Sequence, residues 1–263
     1  MLEKNLPLEL VNIAYKAGLT IMDIYKKDFH IDIKNDNSPV TIADENAEKL
    51  ILHELNNKFP NIPVISEEAY SNGIVPNFSE EFFLVDPLDG TKEFIKRNGE
   101  FTVNIGFVKN GYARFGVIYA PAMKAMYFCD TESNAFELKI KNNFSESFSL
   151  DNAIKINVNS SKKLALTAIT SRSHNNPKTS DFLKNYDIKE TLLFGSSYKF
   201  CLIASGKADI YPRLSPTCEW DIAAGHAILK AAGGNVYHLD GKELQYGHEE
   251  KKFINPPFIA INY

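Results

Sequence analysis

The sequence predicts a mixed α/β (α+β) fold, and three patterns of apolar residues lead to this prediction. Apolar side chains recur at helical spacing over residues 8–25 and 43–58, which favours two amphipathic helices. Short apolar runs then follow as far as residue 128, as expected for a mostly antiparallel sheet. Beyond residue 150, predicted strands and helices alternate, and this alternation indicates helices that cover a sheet.

In the first half of the chain, each predicted element carries its own signal. Pro7 lies near the start of the first helix, where proline's missing N–H leaves no hydrogen bond unmade. Asn110-Gly111 separates two apolar runs and is typical of a tight hairpin. The predicted strands cover residues 63–65, 82–85, 101–108, 114–119 and 125–128.

The chain turns polar at residues 141–153, which indicates either an excursion or a boundary between two halves of the chain. Behind it, Gly233-Gly234 is expected to end the last helix, because glycine readily adopts the left-handed conformation that follows helix C-termini. The predicted strands of this half are 164–170, 191–194 and 208–211, and the predicted helices are 179–185, 197–205 and 220–232.

Composition and charge limit the possible function classes. The 263 residues carry a formal net charge of −4, whereas a protein that binds nucleic acid polymers is usually basic. No run approaches the roughly 18 apolar residues of a membrane span, and the first residues lack the pattern of a signal peptide. The three cysteines form no Cys-x-x-Cys pair, so we expect free thiols. These features are ordinary for a cytoplasmic enzyme.

The segment 86–91 (Asp-Pro-Leu-Asp-Gly-Thr) carries the clearest chemical signal. It follows the apolar run 82–85, and Pro87 is expected to end that strand because proline cannot donate a ladder hydrogen bond. Asp86 and Asp89 therefore lie close together on a turn, where a bound cation would offset their repulsion. Carboxylates are hard oxygen ligands that suit Mg²⁺. The alternative is an Asp-Gly turn chosen for its turn chemistry alone.

Four further acids stand out by their positions. Glu67 and Glu68 directly follow a predicted strand, and Asp44 and Asp221 lie in the first turns of predicted helices. Both aspartates have a structural alternative, because carboxylates near helix N-termini cap the backbone and interact favourably with the helix dipole. Adjacent glutamates are also common on solvated surfaces.

Taken together in their order along the chain, these segments resemble the inositol monophosphatase superfamily of Mg²⁺-dependent, lithium-sensitive phosphatases. The resemblance rests on residues 66–68 (Ser-Glu-Glu), 86–91, 220–225 (Trp-Asp-Ile-Ala-Ala-Gly) and 231–234 (Ala-Ala-Gly-Gly). One departure is Lys230-Ala231, where the superfamily usually carries an acid before Ala-Gly-Gly. This position lies a helix length from the implied metal ligand.

The chain further resembles one branch of the superfamily, the bacterial CysQ-type 3′(2′),5′-bisphosphate nucleotidases. Glu93 contributes to this likeness, because inositol phosphatases usually carry Asn there. The matching segments are 36–41, 86–105, 169–174 and 195–201. The resemblance implies a layered αβαβα sandwich of the inositol monophosphatase and sugar phosphatase type. It also implies one phosphatase domain over residues 1–263, with a metal-binding half at about 1–145 and a nucleotide-binding half at about 150–263.

A magnesium site with two ions is part of what the resemblance implies. Glu67, Asp86 and the Leu88 carbonyl would hold the first ion. Asp86, Asp89 and Asp221 would hold the second, with Asp86 bridging, and a third, weaker ion would share Glu67. Two metal ions about 4 Å apart can stabilise both the attacking and the leaving oxygen of an in-line displacement.

The resemblance also assigns catalytic and substrate-binding roles. Thr91 would orient the attacking water, with the Asp44 carboxylate as the base. A bisphosphate substrate carries a second phosphate that needs protein cations, and Ser171 and Arg172 are candidates for this task together with the residues that the resemblance indicates. The implied substrate-binding residues are Glu67, Gly90, Thr91, His174, Ser196, Lys199, Arg213 and Asp221.

The implied activity is Mg²⁺-dependent hydrolysis of the 3′-phosphate of adenosine 3′,5′-bisphosphate to AMP and phosphate, in sulfur assimilation. 3′-Phosphoadenylyl sulfate is a second implied substrate and would yield adenylyl sulfate. The alternatives are an inositol monophosphatase or fructose-bisphosphatase activity and, from a different class, a catalytically silent nucleotide or metal sensor. The implied partner is a small anionic nucleotide. The oligomeric state stays open, as does a peripheral location on the cytoplasmic face of the inner membrane.

Overall fold

The computed structural model describes residues 2–34, 39–140, 150–160, 165–173 and 176–262. In these ranges the helices are α1 (Leu2–Tyr25), α2 (Ile42–Lys58), α3 (Glu67–Ser71), α4 (Thr91–Ile95), α5 (Pro177–Leu183), α6 (Tyr198–Ala204) and α7 (Glu219–Ala231), with 3₁₀ turns at Leu150–Asn152 and Glu249–Lys251. The strands are β1 (Ile31–Ile33), β2 (Pro39–Thr41), β3 (Val64–Ser66), β4 (Glu81–Asp89), β5 (Thr102–Lys109), β6 (Tyr112–Ala120), β7 (Ala125–Cys129), β8 (Ala135–Lys139), β9 (Ile154–Ile156), β10 (Leu166–Ser171), β11 (Ile188–Phe194), β12 (Ile210–Arg213), β13 (Asn235–His238) and β14 (Phe258–Ile261).

These elements stack in five layers, in the order helix, sheet, helix, sheet, helix. α1 and α2 pack against a seven-stranded sheet of order β3-β4-β5-β6-β7-β8-β9. α6 and α7 lie between this sheet and a five-stranded sheet of order β11-β10-β12-β14-β13. α5 covers the other face of the five-stranded sheet, where Leu183 joins a separate apolar cluster. The layers confirm the αβαβα sandwich that the sequence predicts.

Close packing of α7 on the seven-stranded sheet depends on two glycines in that sheet. A Cβ atom at Gly116 would lie 2.2 Å from the Ala224 carbonyl oxygen, and one at Gly106 would lie 2.9 Å from the Ala224 nitrogen. Any larger residue at either position would push α7 away from the sheet. The glycines therefore set the depth of Asp221, which lies in the first turn of α7.

Most of the predicted elements are present within a few residues of their expected bounds. The hairpin at Asn110-Gly111 is confirmed, with φ values of 54° and 76°, and Gly233 follows α7 with φ of 96°. The patterns did not indicate α3, α4 or the short strands β1, β2, β8, β9, β13 and β14, because three to five residues leave too few positions for a periodicity. Residues 141–149 of the polar segment lie outside the described residues, so the division into two halves stays a prediction.

Pro87 does not end β4, contrary to the prediction. β4 continues to Asp89 with a register shift, so that Asp86 pairs with Asn104 and Asp89 pairs with Thr102. Two residues of β4 therefore lie opposite one residue of β5, which is a β-bulge. The missing N–H of Pro87 falls inside the bulge, where the ladder is interrupted anyway. Because the pairing partners of Asp86 and Asp89 are two residues apart, the bulge places both aspartates on the same face of the sheet.

Two expectations from composition can be compared with the structure. All three cysteines are free thiols, as predicted, and Cys129 and Cys201 are buried. Among the residues that the structure describes, no helix combines the length and the apolar character needed to span a bilayer.

His226, in α7, is buried next to β13, the edge strand of the five-stranded sheet. His226 makes hydrogen bonds through Nδ1 with the Tyr246 hydroxyl at 2.8 Å and through Nε2 with the Asn235 Oδ1 at 2.7 Å. Burial lowers the pKa of His226 to about 4, and the hydrogen bond to Asn235 only partly opposes this shift. The folded protein therefore keeps this imidazole neutral at pH values where an unfolded chain would protonate it.

We predict that His226 makes the fold acid-sensitive between pH 6.5 and pH 4. The unfolded chain takes up a proton on this histidine below its ordinary pKa of about 6.5, whereas the folded chain does so only near pH 4. The free energy of unfolding should therefore fall by about 2–3 kcal/mol between pH 7 and pH 4.5 through this group. Urea denaturation at both pH values should show a smaller loss for His226→Gln than for the wild type. Equal losses in the two proteins would contradict the prediction.

Candidate active site

A cleft between the two sheets collects most of the predicted site residues. It lies where β4 ends and where α4, α6 and α7 begin. Asp44 lies behind Thr91 rather than on the cleft surface, and His174 lies outside the described residues. The predicted residues that line the cleft are Glu67, Asp86, Leu88, Asp89, Gly90, Thr91, Ser196, Lys199, Arg213 and Asp221.

Three carboxylates converge at the centre of the cleft. Glu67, Asp86 and Asp221 each offer one oxygen atom, and these oxygens all lie within 4.8 Å of one another. Asp221 also accepts hydrogen bonds from the Cys218 backbone N–H at 2.8 Å and from the Thr217 hydroxyl. The structural alternative for Asp221, a helix cap, is therefore present together with the carboxylate cluster and does not exclude it.

Asp89 lies beside this cluster and is oriented from the second half of the chain. Its Oδ2 accepts a hydrogen bond from the Ser197 backbone N–H at 2.5 Å and faces the Asn104 side-chain amide at 3.4 Å. The Ser197 hydroxyl in turn donates to Asn104 Oδ1 at 2.7 Å and lies 2.8 Å from the Thr102 hydroxyl. The three supporting residues are buried, so Asp89 has a fixed orientation that does not depend on solvent.

Burial and mutual repulsion act together on the acids of the cleft. Burial, with Glu67 as the next cause, raises the pKa of Asp86 well above its ordinary value and that of Asp221 to about 6. Burial, followed by the charge of Asp221, raises the pKa of Asp89 to about 7. A cation among these groups would favour their ionised forms. Several convergent carboxylate oxygens are the donor set that Mg²⁺ prefers, so the residues present fit such an ion.

Thr91 and Asp44 form the contact that the resemblance implies. The Thr91 hydroxyl lies 3.1 Å from Asp44 Oδ1 and 3.4 Å from the Leu88 carbonyl oxygen. Asp44 Oδ2 accepts hydrogen bonds from the Thr41 N–H at 2.8 Å and from the Thr41 hydroxyl at 2.7 Å. Burial raises the pKa of Asp44 to about 6, although the Thr41 hydrogen bonds lower it. This carboxylate is therefore oriented toward Thr91 and changes charge close to neutral pH.

Gly90 gives the loop at the end of β4 its shape. Its φ of 94° is in the left-handed region, which favours glycine. A Cβ atom there would lie 3.0 Å from the Glu100 carbonyl oxygen and 3.4 Å from the Ser196 Cβ. The absence of a side chain therefore brings Thr91 against the cleft and brings the two halves of the chain close together.

Lys34 is a site residue that the sequence patterns did not indicate. Its Nζ lies 2.7 Å from both Glu67 Oε1 and Glu68 Oε1, and its side chain is 10% exposed. Burial lowers the pKa of Lys34, but the two glutamates outweigh this effect and raise it. Burial, together with Glu67, raises the pKa of Glu68 to about 8. An isolated lysine next to a three-residue strand carries no signal in the sequence, so only the fold reveals this contact.

Glu48 is a second residue near the site that the sequence patterns did not indicate, and it stabilises the backbone on both sides of Glu67. Its Oε1 accepts hydrogen bonds from the Ser66 hydroxyl at 2.5 Å and from the backbone N–H groups of Glu68 and Ala69 at 3.0 Å. These bonds fix the junction between β3 and α3, where Glu67 begins the helix. A signal was available in the sequence, because Glu48 lies four residues after Asp44 and therefore on the same helix face.

Two cations from the second half of the chain, Lys199 and Arg213, line the cleft. Lys199 is 4% exposed, donates to the Ser196 carbonyl oxygen and lies 5.2 Å from the centre of the Tyr211 ring. Burial lowers the pKa of Lys199 to about 8, while the charge of Asp89 raises it. Arg213 donates from Nε to the Ser215 carbonyl at 3.2 Å and from Nη2 to a neighbouring carbonyl at 3.0 Å. Backbone carbonyl oxygens therefore hold both cations at the cleft.

Ser171 and Arg172, the two additional candidates for binding the second phosphate, differ in their positions. Ser171 lines the cleft, at the end of β10. Arg172 does not line it, because its guanidinium forms a bidentate ion pair with Glu100, at 2.8 and 2.7 Å. Arg172 is therefore turned away from the position that a substrate phosphate would occupy.

The chain is similar to known proteins in sequence and in fold. A sequence profile of the inositol monophosphatase family matches residues 6–257. The chain is 42% identical over 257 residues to the 3′(2′),5′-bisphosphate nucleotidase CysQ of Salmonella typhimurium, a match that covers 97% of this chain and 99% of that protein. The nucleotidase of the same name from Escherichia coli is 40% identical over the same shares of both chains. The crystal structure of CysQ from Bacteroides thetaiotaomicron has a TM-score of 0.81 and 38% identity, and it covers 98% of this chain and 97% of that chain.

The fold, the acidic cleft and the family match define the class of this protein. The chain belongs to the inositol monophosphatase family. Within that family it is similar to the bacterial nucleotidases named CysQ, over nearly the full length of both proteins. The resemblance seen in the sequence is therefore confirmed.

We predict that Asp86→Asn stabilises the metal-free protein and weakens its response to Mg²⁺. The variant keeps the side-chain shape but removes one charge from a cluster of repelling acids, so thermal unfolding in a chelator should show a gain of about 0.5–2 kcal/mol. Added Mg²⁺ should then stabilise the wild type more than the variant. Asp181→Asn, on the exposed face of α5, is the control and should match the wild type in both conditions. A less stable variant with an unchanged response to Mg²⁺ would contradict the prediction.

Proposed function

We propose that this protein hydrolyses the 3′-phosphate of adenosine 3′,5′-bisphosphate and releases AMP and phosphate, in sulfur assimilation. The observation that carries the proposal is a cleft lined both by converging acids and by the oriented cations Lys199 and Arg213. Such a cleft suits a substrate with one phosphate at the acids and a second phosphate at the cations. The identity of 40–42% to nucleotidases over nearly the whole chain supports the same activity. 3′-Phosphoadenylyl sulfate, which carries the same 3′-phosphate, is proposed as a second substrate.

Magnesium ions are proposed as the cofactor. Glu67, Asp86 and the Leu88 carbonyl would hold one ion, and Asp86, Asp89 and Asp221 would hold another, while a third ion would share Glu67. When bound, the ions would neutralise the charge of the transferred phosphoryl group and lower the pKa of water. The chain's own task is then to place the phosphate and the water, since phosphoryl transfer depends mainly on positioning and charge.

Thr91 and Asp44 are proposed to orient the attacking water. The Thr91 hydroxyl donates to Asp44 Oδ1, which leaves the lone pairs of Thr91 free to accept a hydrogen bond from water. The proton of the water can then pass through the Thr91 hydroxyl to Asp44. Because the pKa of Asp44 is about 6, this carboxylate is ionised at pH 7 and still close enough to neutrality to accept a proton.

The second phosphate is proposed to bind at Lys199, Arg213, Ser196 and His174. Lys199 and Arg213 supply positive charge, and Ser196 lies on the turn before α6. The substrate is a small anionic nucleotide, and neither a nucleic acid polymer nor a membrane is required for the reaction. A cytoplasmic location, where this nucleotide would be processed, follows from the same proposal.

A phosphate-release assay tests the proposed function directly. The substrates are adenosine 3′,5′-bisphosphate, 3′-phosphoadenylyl sulfate, inositol 1-phosphate and fructose 1,6-bisphosphate, each with Mg²⁺ and with a chelator. We expect the highest kcat/KM for one of the two adenosine nucleotides and loss of turnover with the chelator. A preference for inositol 1-phosphate or fructose 1,6-bisphosphate would establish the rival phosphatase activity, and no turnover at all would indicate a sensor.

Thr91→Ala tests the assignment of the nucleophilic water. The change removes one hydroxyl and little volume, so we expect kcat on adenosine 3′,5′-bisphosphate to fall by about 10²-fold or more. KM should change little, because the lost interaction matters mainly in the transition state. Thr131→Ala, in the turn between β7 and β8, is the control. A raised KM with unchanged kcat would make Thr91 a binding residue instead.

Arg213→Ala and Lys199→Ala test the site of the second phosphate. A charged hydrogen bond contributes about 1.5–3 kcal/mol, so kcat/KM for adenosine 3′,5′-bisphosphate should fall by about tenfold to a hundredfold in each variant. Adenosine 3′-phosphate lacks the second phosphate and should be affected much less. Arg114→Ala, on the exposed side of β6, is the control for Arg213. Equal losses on both substrates would place Lys199 and Arg213 at the reacting phosphate or in the fold.

A further inference from the structure

Glu100 joins three segments of the chain that are distant in sequence. Its Oε2 accepts a hydrogen bond from Arg172 Nε at 2.8 Å and another from the Gly195 backbone N–H at 2.7 Å. Its Oε1 accepts from Arg172 Nη2 at 2.7 Å. The side chain of Glu100 is 11% exposed, so water competes little for these bonds. The carboxylate therefore connects the end of β10 with the turn that precedes α6.

Arg172 completes the connection without entering the cleft. Its Nη2 also donates to the Leu193 carbonyl oxygen at 2.7 Å, so the guanidinium links Glu100 to β11 as well. The next residue, Ser173, donates its hydroxyl to Glu93, which is buried at the cleft. Arg172 and Ser173 are thus held by Glu100 and Glu93, two acids of the segment that follows β4.

The turn at residues 195–197 packs closely against Glu93 and Glu100. A Cβ atom at Gly195 would lie 2.6 Å from the Glu93 Cγ and 3.0 Å from the Glu100 carbonyl oxygen, so the turn lies directly against both acids. Ser196 has a φ of 49°, in the left-handed region that serine adopts at a cost in conformational energy. The surrounding contacts must hold this conformation, and the hydrogen bond from the Gly195 N–H to Glu100 is the one that immediately precedes it.

The position of this turn matters on both sides of the cleft. Ser196 lines the cleft and accepts the hydrogen bond of Lys199 on its carbonyl oxygen. Ser197 donates its N–H to Asp89. A shift of the turn would therefore move Lys199 relative to the acids, even though neither Glu100 nor Arg172 lines the cleft.

We propose that Glu100 and Arg172 are positioning residues that set the distance between the reacting-phosphate side and the second-phosphate side of the cleft. They act as one unit, through the turn at 195–197, and neither contacts the substrate. The proposal rests on the proposed nucleotidase function, and it assigns specificity for a bisphosphate nucleotide to an ion pair outside the pocket. Because Glu100 is an acid, it cannot itself attract the anionic substrate, which separates this role from direct binding.

The test compares Glu100→Gln, Arg172→Gln and the double variant with the wild type. The readouts are kcat and KM for adenosine 3′,5′-bisphosphate and adenosine 3′-phosphate, and the binding of adenosine 3′,5′-bisphosphate by calorimetry in the Thr91→Ala background, where turnover is expected to be slow. Misplacement of the two sides can change rates and affinity strongly, so we expect about a tenfold weaker affinity for the bisphosphate and a similar rise in its KM in each single variant. Adenosine 3′-phosphate should be affected less than threefold, roughly, because it does not span the two sides.

The double variant should be no worse than the more damaged single variant, because both substitutions break the same unit. Glu81→Gln, which breaks an exposed ion pair with Lys109 on the same sheet, is the control and should behave as the wild type. A loss in Arg172→Gln with normal Glu100→Gln would mean that Arg172 binds substrate directly, and normal kinetics in both variants would mean that the pair has no positioning role. Either result overturns the proposal. Failure of the wild type to hydrolyse the bisphosphate would instead refute the proposed function, whereas calorimetric binding of the bisphosphate still reports on the ion pair.

Discussion

The mutual repulsion of carboxylates that meet at the cleft is the constraint on which the rest of this structure depends. Glu67, Asp86 and Asp221 converge from three different elements, and Asp89 lies beside them. Such an arrangement is unfavourable by itself, because burial disfavours each charge and every neighbouring acid adds to the effect. The fold tolerates it because each acid is tied to the backbone or to a cation, as Asp221 is by the first turn of α7 and Glu67 is by Lys34.

Several of the interactions that orient these acids are also ordinary features of secondary structure, namely helix caps and a β-bulge. Asp44 and Asp221 take part in helix caps and also belong to the surroundings of the cleft, since Asp221 lines it and Asp44 accepts a hydrogen bond from Thr91, which lines it. The bulge in β4 likewise has two consequences. It accommodates Pro87 and brings Asp86 and Asp89 to one face of the sheet. Local backbone chemistry therefore supplies the orientation that a metal site requires.

Near the cleft, the two halves of the chain approach each other closely enough for backbone groups to meet. Gly90 and Gly195 permit this approach, because side chains at either position would collide with the segment around Glu100. The Ser197 N–H then reaches Asp89 across the junction. Both halves contribute side chains to the cleft, because Glu67, Asp86 and Asp89 come from the first and Asp221, Lys199 and Arg213 come from the second.

The sequence by itself determined the mixed α/β class, because strand and helix periodicities are local patterns. The layered fold, the acids of the cleft and the family followed from the resemblance of short segments, such as Asp-Pro-Leu-Asp-Gly-Thr and the Asp221 segment, to a known family. The tertiary structure alone decided that Pro87 lies in a bulge, that Lys34 and Glu48 support Glu67, and that Arg172 binds Glu100 instead of lining the cleft. These contacts join residues that are between 18 and 72 positions apart, and no local pattern records which buried charges will meet.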